Sequence, residues 1–203
     1  MPMDTSTIPA PDPDLDGPPP RRIAFWLTMV AVVALVGSWV YVLFIYDPGL
    51  LIDELPDRTF PDAAEQVCAA AVSEYSELPL ANESDSADSR AETLAASNEI
   101  FAAMLAELRP LADEASDMYL ADPDDRFTDK ESAGYARGVT EWVTDWGTYL
   151  EDREQYVENL RNDDDARFLE TAKGSDTKGI TRAINSFAQV NKMMSCVTPG
   201  DVS

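Results

Sequence analysis

Apolar residues divide the chain into one continuous apolar run and a longer region of periodic segments. Residues 23–46 carry no charged side chain, and thirteen of these 24 positions are Leu, Ile, Val or Phe. A helix over this run would be about 36 Å long, which exceeds the roughly 30 Å hydrocarbon core of a bilayer. The run is also longer than the roughly 7–15 apolar residues of a cleaved signal peptide. The pattern therefore predicts one transmembrane helix over residues 23–46.

Charges on either side of this run predict its orientation. Arg21 and Arg22 precede it, whereas the following segment is acidic as far as Arg58. Because basic flanks stay in the cytoplasm, we expect a cytoplasmic N-terminus and an extracytoplasmic C-terminal domain. Residues 1–22 are rich in Pro and Asp and should form a disordered cytoplasmic tail. Residues 47–60 contain several helix breakers and should form a juxtamembrane linker.

Beyond the linker, apolar residues recur every three or four positions, as in amphipathic helices that pack in a bundle. The predicted helices lie near 61–78, 88–120, 130–161 and 177–195, with a short additional helix over 164–172. Pro110 should kink or split the second of them, and residues 173–176 indicate a turn. No alternating pattern competes with these helices. The predicted fold is all-α, with one transmembrane helix followed by an acidic extracytoplasmic bundle of about four helices over residues 61–203.

The charge balance excludes several classes of partner. The chain has 38 acidic and 15 basic residues, and the first 46 residues hold only four Asp and two Arg. The remaining 157 residues therefore have a net charge of −21. Nucleic acids and anionic lipid surfaces require clustered Lys and Arg, so we expect no nucleic-acid partner.

The residue types also exclude several classes of catalyst. The chain contains no His, which removes Ser-His-Asp and Cys-His catalysis and His-based zinc sites. Residues 174–179 lack the Gly-Lys-Ser/Thr ending of a phosphate-binding loop. The acidic loop at 122–131 has Phe127 where an EF-hand requires Gly. We therefore expect no catalytic residues, no metal site and no cofactor.

Cys68 and Cys196 are the two cysteines of the chain. One lies in the first predicted bundle helix and the other at the end of the last. In an exported protein such a pair is most simply a disulfide between these helices. The alternative is a pair of buried free thiols.

One stripe of the helix near 130–161 holds a candidate site. Tyr135, Val139, Trp142, Trp146, Tyr149, Arg153, Tyr156 and Leu160 share this face. Trp142 and Trp146 form either part of the core or an aromatic groove for a ligand. A guanidinium on an apolar face needs an anionic partner, so Arg153 forms either a buried ion pair with another helix or a contact with an anionic ligand.

Several local sequences carry a resemblance to a known group of proteins. They are residues 142–160, 165–171 and 195–201, together with Phe60-Pro61 and residues 67–71. With them the chain resembles a family of uncharacterised actinobacterial single-pass membrane proteins, over most of residues 20–203. The resemblance implies a Gram-positive envelope location and no particular activity.

These expectations combine into one functional hypothesis. The chain is a non-enzymatic envelope protein, integral to the cell membrane, whose helical domain contacts another envelope or membrane protein, for instance as an accessory subunit. The alternative is an extracytoplasmic module that binds a ligand or a cation.

Overall fold

The computed structural model describes residues 21–44, 53–84, 86–122, 125–173 and 178–202. Within the first helix, side chains are described for residues 25–39, and that of Lys178 is not described. The chain divides into two compact units, Met1–Gly49 and Leu50–Ser203. Most of the predicted tail, part of the predicted linker and the turn at 174–176 lie outside the described residues.

The first unit contains helix α1, Arg21–Phe44. Its described large apolar side chains are exposed, among them Phe25, Leu27 and Val30. Within the part of the chain that the structure describes, no helix is both long and apolar enough to cross a membrane.

The described residues of the second unit form a bundle of four α-helices. They are α2 (Thr59–Tyr75), α3 (Ala87–Ala121), α4 (Asp129–Asn162) and α5 (Ile180–Val190). Asn98 contacts Arg153 and Tyr119 contacts Tyr135, so α3 and α4 run antiparallel. Helix α2 packs on α3 and α5 packs on α4. The predicted all-α class and helical bundle are thus confirmed.

Local capping explains where the two long helices begin. The Ser86 side chain accepts a hydrogen bond from the amide of Ser89 at the start of α3. Thr128 and Glu131 form a reciprocal capping box at the start of α4. Both helices begin and end within one residue of the predicted bounds.

Helix α3 continues through Pro110, so of the two predicted outcomes, a kink or a split, the split does not occur. Pro110 has no N–H to donate to the carbonyl of Ala106. Both residues are exposed, so water can solvate that carbonyl. The missing hydrogen bond is therefore tolerated in a helix whose other face is buried.

The predicted short helix over 164–172 is also wrong. The Asp163 carboxylate accepts a hydrogen bond from the amide of Asp165, a local turn that competes with helix formation. The chain then extends so that Phe168 packs edge-on against Tyr149 and Tyr156. It ends in a two-residue strand, β1 (Ala172–Lys173), which pairs antiparallel with β2 (Lys178–Gly179).

Helix α5 is shorter at both ends than the predicted helix over 177–195. Residues 178 and 179 belong to β2, and the Glu170 carboxylate accepts hydrogen bonds from the amide and hydroxyl of Thr181 in the first turn. At the other end Lys192 has a positive φ of 56°, which ends the helix. A 3-10 turn, Met194–Cys196, follows.

Candidate functional site

A buried ion pair between α4 and the C-terminal segment forms the most polar part of the core. The Arg153 side chain is 1% exposed, and its Nη1 and Nη2 atoms donate to the two carboxylate oxygens of Asp201 at 2.6 and 3.0 Å. Its Nε donates to Asn98 at 2.6 Å and Nη2 also donates to Ser97 at 2.5 Å. A longer bond of 3.4 Å joins Nη1 to the hydroxyl of Tyr149. The structure thus accounts for all five N–H donors of the guanidinium.

Aromatic rings surround this pair. The guanidinium carbon of Arg153 lies 5.4 Å from the ring centre of Phe101 and 5.7 Å from that of Tyr149. Burial, together with the charge and hydrogen bonding of Asp201, raises the pKa of Tyr75 to about 12. Burial by itself would lower the pKa of Arg153, but Asp201 offsets this and the net shift is upward. Arg153 is therefore a cation at every physiological pH, and its charge is neutralised inside the protein.

The residues around Asp201 hold the C-terminal segment against the bundle. Cys196 is bonded to Cys68 of α2, with the sulfur atoms 2.12 Å apart, so the predicted disulfide is present. The Ser195 amide and hydroxyl donate to the carboxylate of Glu65, also on α2. Tyr149 donates to the carbonyl of Pro199 at 3.3 Å. This segment therefore links α2 to α4 through covalent, polar and ionic contacts.

Asn191, at the end of α5, holds the segment that precedes α2. Its Oδ1 accepts from the amide of Leu55 at 2.9 Å, and its Nδ2 donates to the carbonyls of Asp53 and Phe187 at 2.9 and 3.0 Å. Arg58 donates to the backbone carbonyl of Asn191. These contacts join the segment before α2 to the end of α5, in addition to the disulfide between Cys68 and Cys196.

Asn191→Ala should lower the free energy of unfolding by about 2–3 kcal/mol, because it leaves the buried amide of Leu55 without an acceptor. Urea denaturation followed by circular dichroism measures this effect. Asn162→Ala is the matched control, since Asn162 is exposed and its side chain donates to Glu158 of its own helix. The control should change stability by less than about 0.5 kcal/mol. Equal effects of the two changes would contradict the role given to Asn191.

Asp145 on α4 is a second buried acidic residue, but its surroundings differ from those of Asp201. Both carboxylate oxygens of Asp145 accept from the ammonium of Lys173, at 2.6 and 2.5 Å. The Lys173 side chain remains 37% exposed, whereas that of Arg153 is almost fully buried. Burial raises the pKa of Asp145, and the bond to Lys173 offsets only part of that shift.

Asp145→Asn should therefore leave the domain at least as stable at pH 7, within about 1 kcal/mol. A raised folded pKa means that protonated Asp145 favours folding at low pH, and this contribution is lost as the pH rises through the folded pKa. Relative to wild type, the variant should gain stability between roughly pH 3 and pH 7. Unfolding curves measured across that range test the sign. A loss of several kcal/mol at pH 7 would show that the Lys173 pair outweighs burial.

Both candidate tryptophans lie in the core. Trp142 stacks on Phe187 and meets Phe60 edge-on, and its Nε1 donates to the carbonyl of Ile184 at 3.2 Å. Trp146 packs against Phe101 and Tyr149, and its indole N–H has no partner among the described residues. Trp146 shares both of these neighbours with Arg153, so the structure brings these two candidates together around Phe101 and Tyr149. Trp142 instead joins α2, α4 and α5.

Several polar residues that contact Arg153 or hold the segment before α2 were not singled out in the sequence. Asn98 and Asn191 occupy the apolar stripes of their helices, and an amide in such a stripe indicates a buried hydrogen bond. The sequence therefore contains a signal for both residues. Asp201 carried no comparable signal, because it follows Pro199-Gly200 in a segment without periodicity.

No cluster of three or more acidic or Cys side chains that could hold a metal ion occurs among the residues the structure describes. Part of the acidic loop, residues 123 and 124, lies outside them. Comparison of the chain with protein-family models, with curated proteins and with solved structures finds no match.

Proposed function

We propose that this chain is a non-enzymatic protein of a Gram-positive cell envelope whose helical domain binds another membrane or envelope protein as an accessory subunit. Residues 23–46 anchor it in the cell membrane, with the N-terminus in the cytoplasm and the helical domain outside. The domain acts as a rigid binding module held at the membrane.

The observation that carries this proposal concerns the Arg153 network, in which Arg153 donates to Asp201, Asn98, Ser97 and Tyr149. All of the guanidinium donors have partners within the protein, so Arg153 has no donor left for an anionic ligand. The network, the disulfide and the Asn191 contacts all join distant parts of the chain. A structure built in this way favours a fixed surface over a reactive pocket.

Two further observations support the compartment. The disulfide is typical of proteins folded outside the cytoplasm. The charge-free run of residues 23–46 has the length of a membrane span and is preceded by two arginines.

Membrane integration is tested by fractionation of the full-length protein in its native cells. The wild-type chain should stay in the membrane pellet after alkaline carbonate extraction, and external protease should digest its C-terminal domain in intact cells. A double variant, Val33→Arg with Leu35→Arg, places two charges at the centre of the run, each costing about 2.5–3.5 kcal/mol of insertion energy. It should lose the membrane fraction. The control Ala24→Arg lies beside Arg21 and Arg22 and should behave as wild type.

Binding is tested by purification from gently solubilised native membranes. A reproducible second protein at fixed stoichiometry supports the accessory role. A repeatedly solitary, monodisperse chain contradicts it. If the chain is found free in solution, or its C-terminal domain resists external protease, the proposed location is wrong.

A further inference from the structure

One side of the α3–α4 pair is uncovered in the described part of the domain. Phe60 of α2 and Phe187 of α5 both contact Trp142 of α4. Helices α2 and α5 therefore cover the same side of the α3–α4 pair. On the opposite side the side chains of Ala102, Arg109 and Thr144 are exposed. We call this surface the α3–α4 groove; it runs between Ala102, Arg109 and Asp113 on α3 and Thr144, Gly147 and Glu154 on α4.

The groove has the dimensions of a helix-binding surface. It contains two hollows of about 350 and 250 Å³, whose linings extend along α3 from Ala95 to Asp113. Eighteen helical steps correspond to about 27 Å, or five turns. Small residues on both walls, Ala102 and Gly147 among them, allow another helix to approach within the usual 8–10 Å interaxial distance of packed helices.

The hydroxyl groups on the floor of the groove are already hydrogen-bonded within α4. The hydroxyls of Thr140, Thr144 and Thr148 donate to carbonyls one turn earlier in α4, at 3.0, 2.8 and 3.3 Å. Their polar atoms are therefore satisfied within the helix. A partner can cover this floor with small or apolar side chains without leaving a buried hydroxyl unpaired.

The rim of the groove is acidic and unpaired. Glu99 and Asp113 on α3 and Glu151 and Glu154 on α4 form no ion pair with any residue that the structure describes. Of the two arginines lining the hollows, Arg161 is already paired with Glu158 at 3.6 Å. Arg109 lines one hollow together with Asp113 and Glu151, whereas Glu99 and Glu154 line the other. Such a rim attracts a basic partner and repels an acidic one.

We infer that a basic amphipathic helix of a partner protein lies in the α3–α4 groove as an additional helix of the bundle. Its small or apolar side chains face Ala102 and Gly147, and its Lys or Arg side chains meet the acidic rim. A second copy of this chain fits less well, because residues 47–203 carry a net charge of −21 and two copies would repel each other. The inference rests on the proposed function and identifies the surface that performs it.

The test places a photo-crosslinking amino acid in the full-length protein in native membranes, at Ala102 in the groove or at Ala70 on the exposed face of α2. Both are exposed alanines within helices. We expect one discrete adduct from position 102 and none from position 70. Mass spectrometry then identifies the attached segment, which should be helical and net basic.

Charge reversal of the rim provides the matched comparison. Asp113→Lys with Glu151→Lys should lower the adduct yield from position 102 by about tenfold or more, since like charges then face each other. The control, Glu74→Lys with Glu77→Lys, changes the net charge by the same amount at exposed positions near the C-terminal end of α2. It should leave the adduct yield unchanged. Thermal unfolding checks that both double variants remain folded.

Each outcome decides between the inference and its alternatives. An adduct twice the mass of the chain indicates a second copy, and an adduct with lipid alone indicates a membrane surface; either overturns the inference. So does an acidic partner segment, or the absence of any adduct at position 102. If a partner co-purifies but crosslinks from position 70, the groove is wrong and the proposed function stands. If nothing co-purifies, the proposed function fails as well.

Discussion

Replacing Asp201 by Asn is expected to lower the free energy of unfolding of the domain by about 3–5 kcal/mol, because it leaves a buried guanidinium without its counter-charge. Arg153 cannot turn toward solvent, since it is 1% exposed and lies within α4, nine residues before its end. Asn has nearly the same volume as Asp, so packing is preserved. Its amide group would instead face the N–H donors of the guanidinium.

Urea denaturation of the domain, followed by tryptophan fluorescence, measures this loss. Asp163→Asn is the matched control, since Asp163 is exposed and forms only a local turn; it should change stability by less than about 0.5 kcal/mol. Arg153→Leu should also destabilise by several kcal/mol. The double variant Arg153→Leu with Asp201→Asn should be less destabilised than the sum of these two single changes, by about 1–3 kcal/mol.

A different pattern would change the role assigned to Arg153. If Arg153→Leu barely moves the unfolding midpoint, the residue is not needed for stability and a contact with an anionic ligand becomes the better explanation. If the effects of the single changes simply add, Arg153 and Asp201 are not coupled.

Removing the disulfide is the second change with a large expected effect. Cys68→Ala with Cys196→Ala should lower the free energy of unfolding by roughly 2–5 kcal/mol, since the bond joins residues 128 apart and restricts the unfolded chain. Both cysteines are fully buried, so reductant should act on the wild-type protein only when it unfolds. The exported wild-type protein should show no free thiol until it is reduced.

Denaturant unfolding with and without reductant measures the effect of the bond. Reductant should lower the midpoint of the wild-type protein and leave that of the double Ala variant unchanged. Two equivalents of thiol reacting in denaturant without reductant would instead show that the cysteines are free.

Local sequence signals were sufficient for the long helices. The apolar period placed α3 and α4, and Ser86, Thr128 and Glu131 begin these helices by contacts within one turn. Such interactions depend on residues three or four positions apart, so a single sequence contains all the information they need. The disulfide was predictable for a different reason, because the chain has two cysteines and one pairing.

The region after α4 was not predictable in the same way. Residues 164–172 were expected to be helical, but Phe168 is held by Tyr149 and Tyr156, and Thr171 donates to Asp152. These contacts join residues about 12 to 19 positions apart and require α4 to be already in place. Tertiary packing overrides a weak local preference in such a segment.

The sequence by itself determined the helical class, the positions of the long helices, the acidic surface, and the need of Arg153 for an anionic partner. Only the tertiary structure decided that this partner is Asp201, that Asn98 and Ser97 also accept hydrogen bonds from Arg153, and that one side of α3 and α4 is uncovered within the described residues of the domain. The physical reason is the range of the interactions. A helix is specified by neighbours along the chain, whereas the buried ion pair joins residues 48 positions apart. The chain has 38 acidic residues, and the packing of the whole domain selects which of them pairs with Arg153.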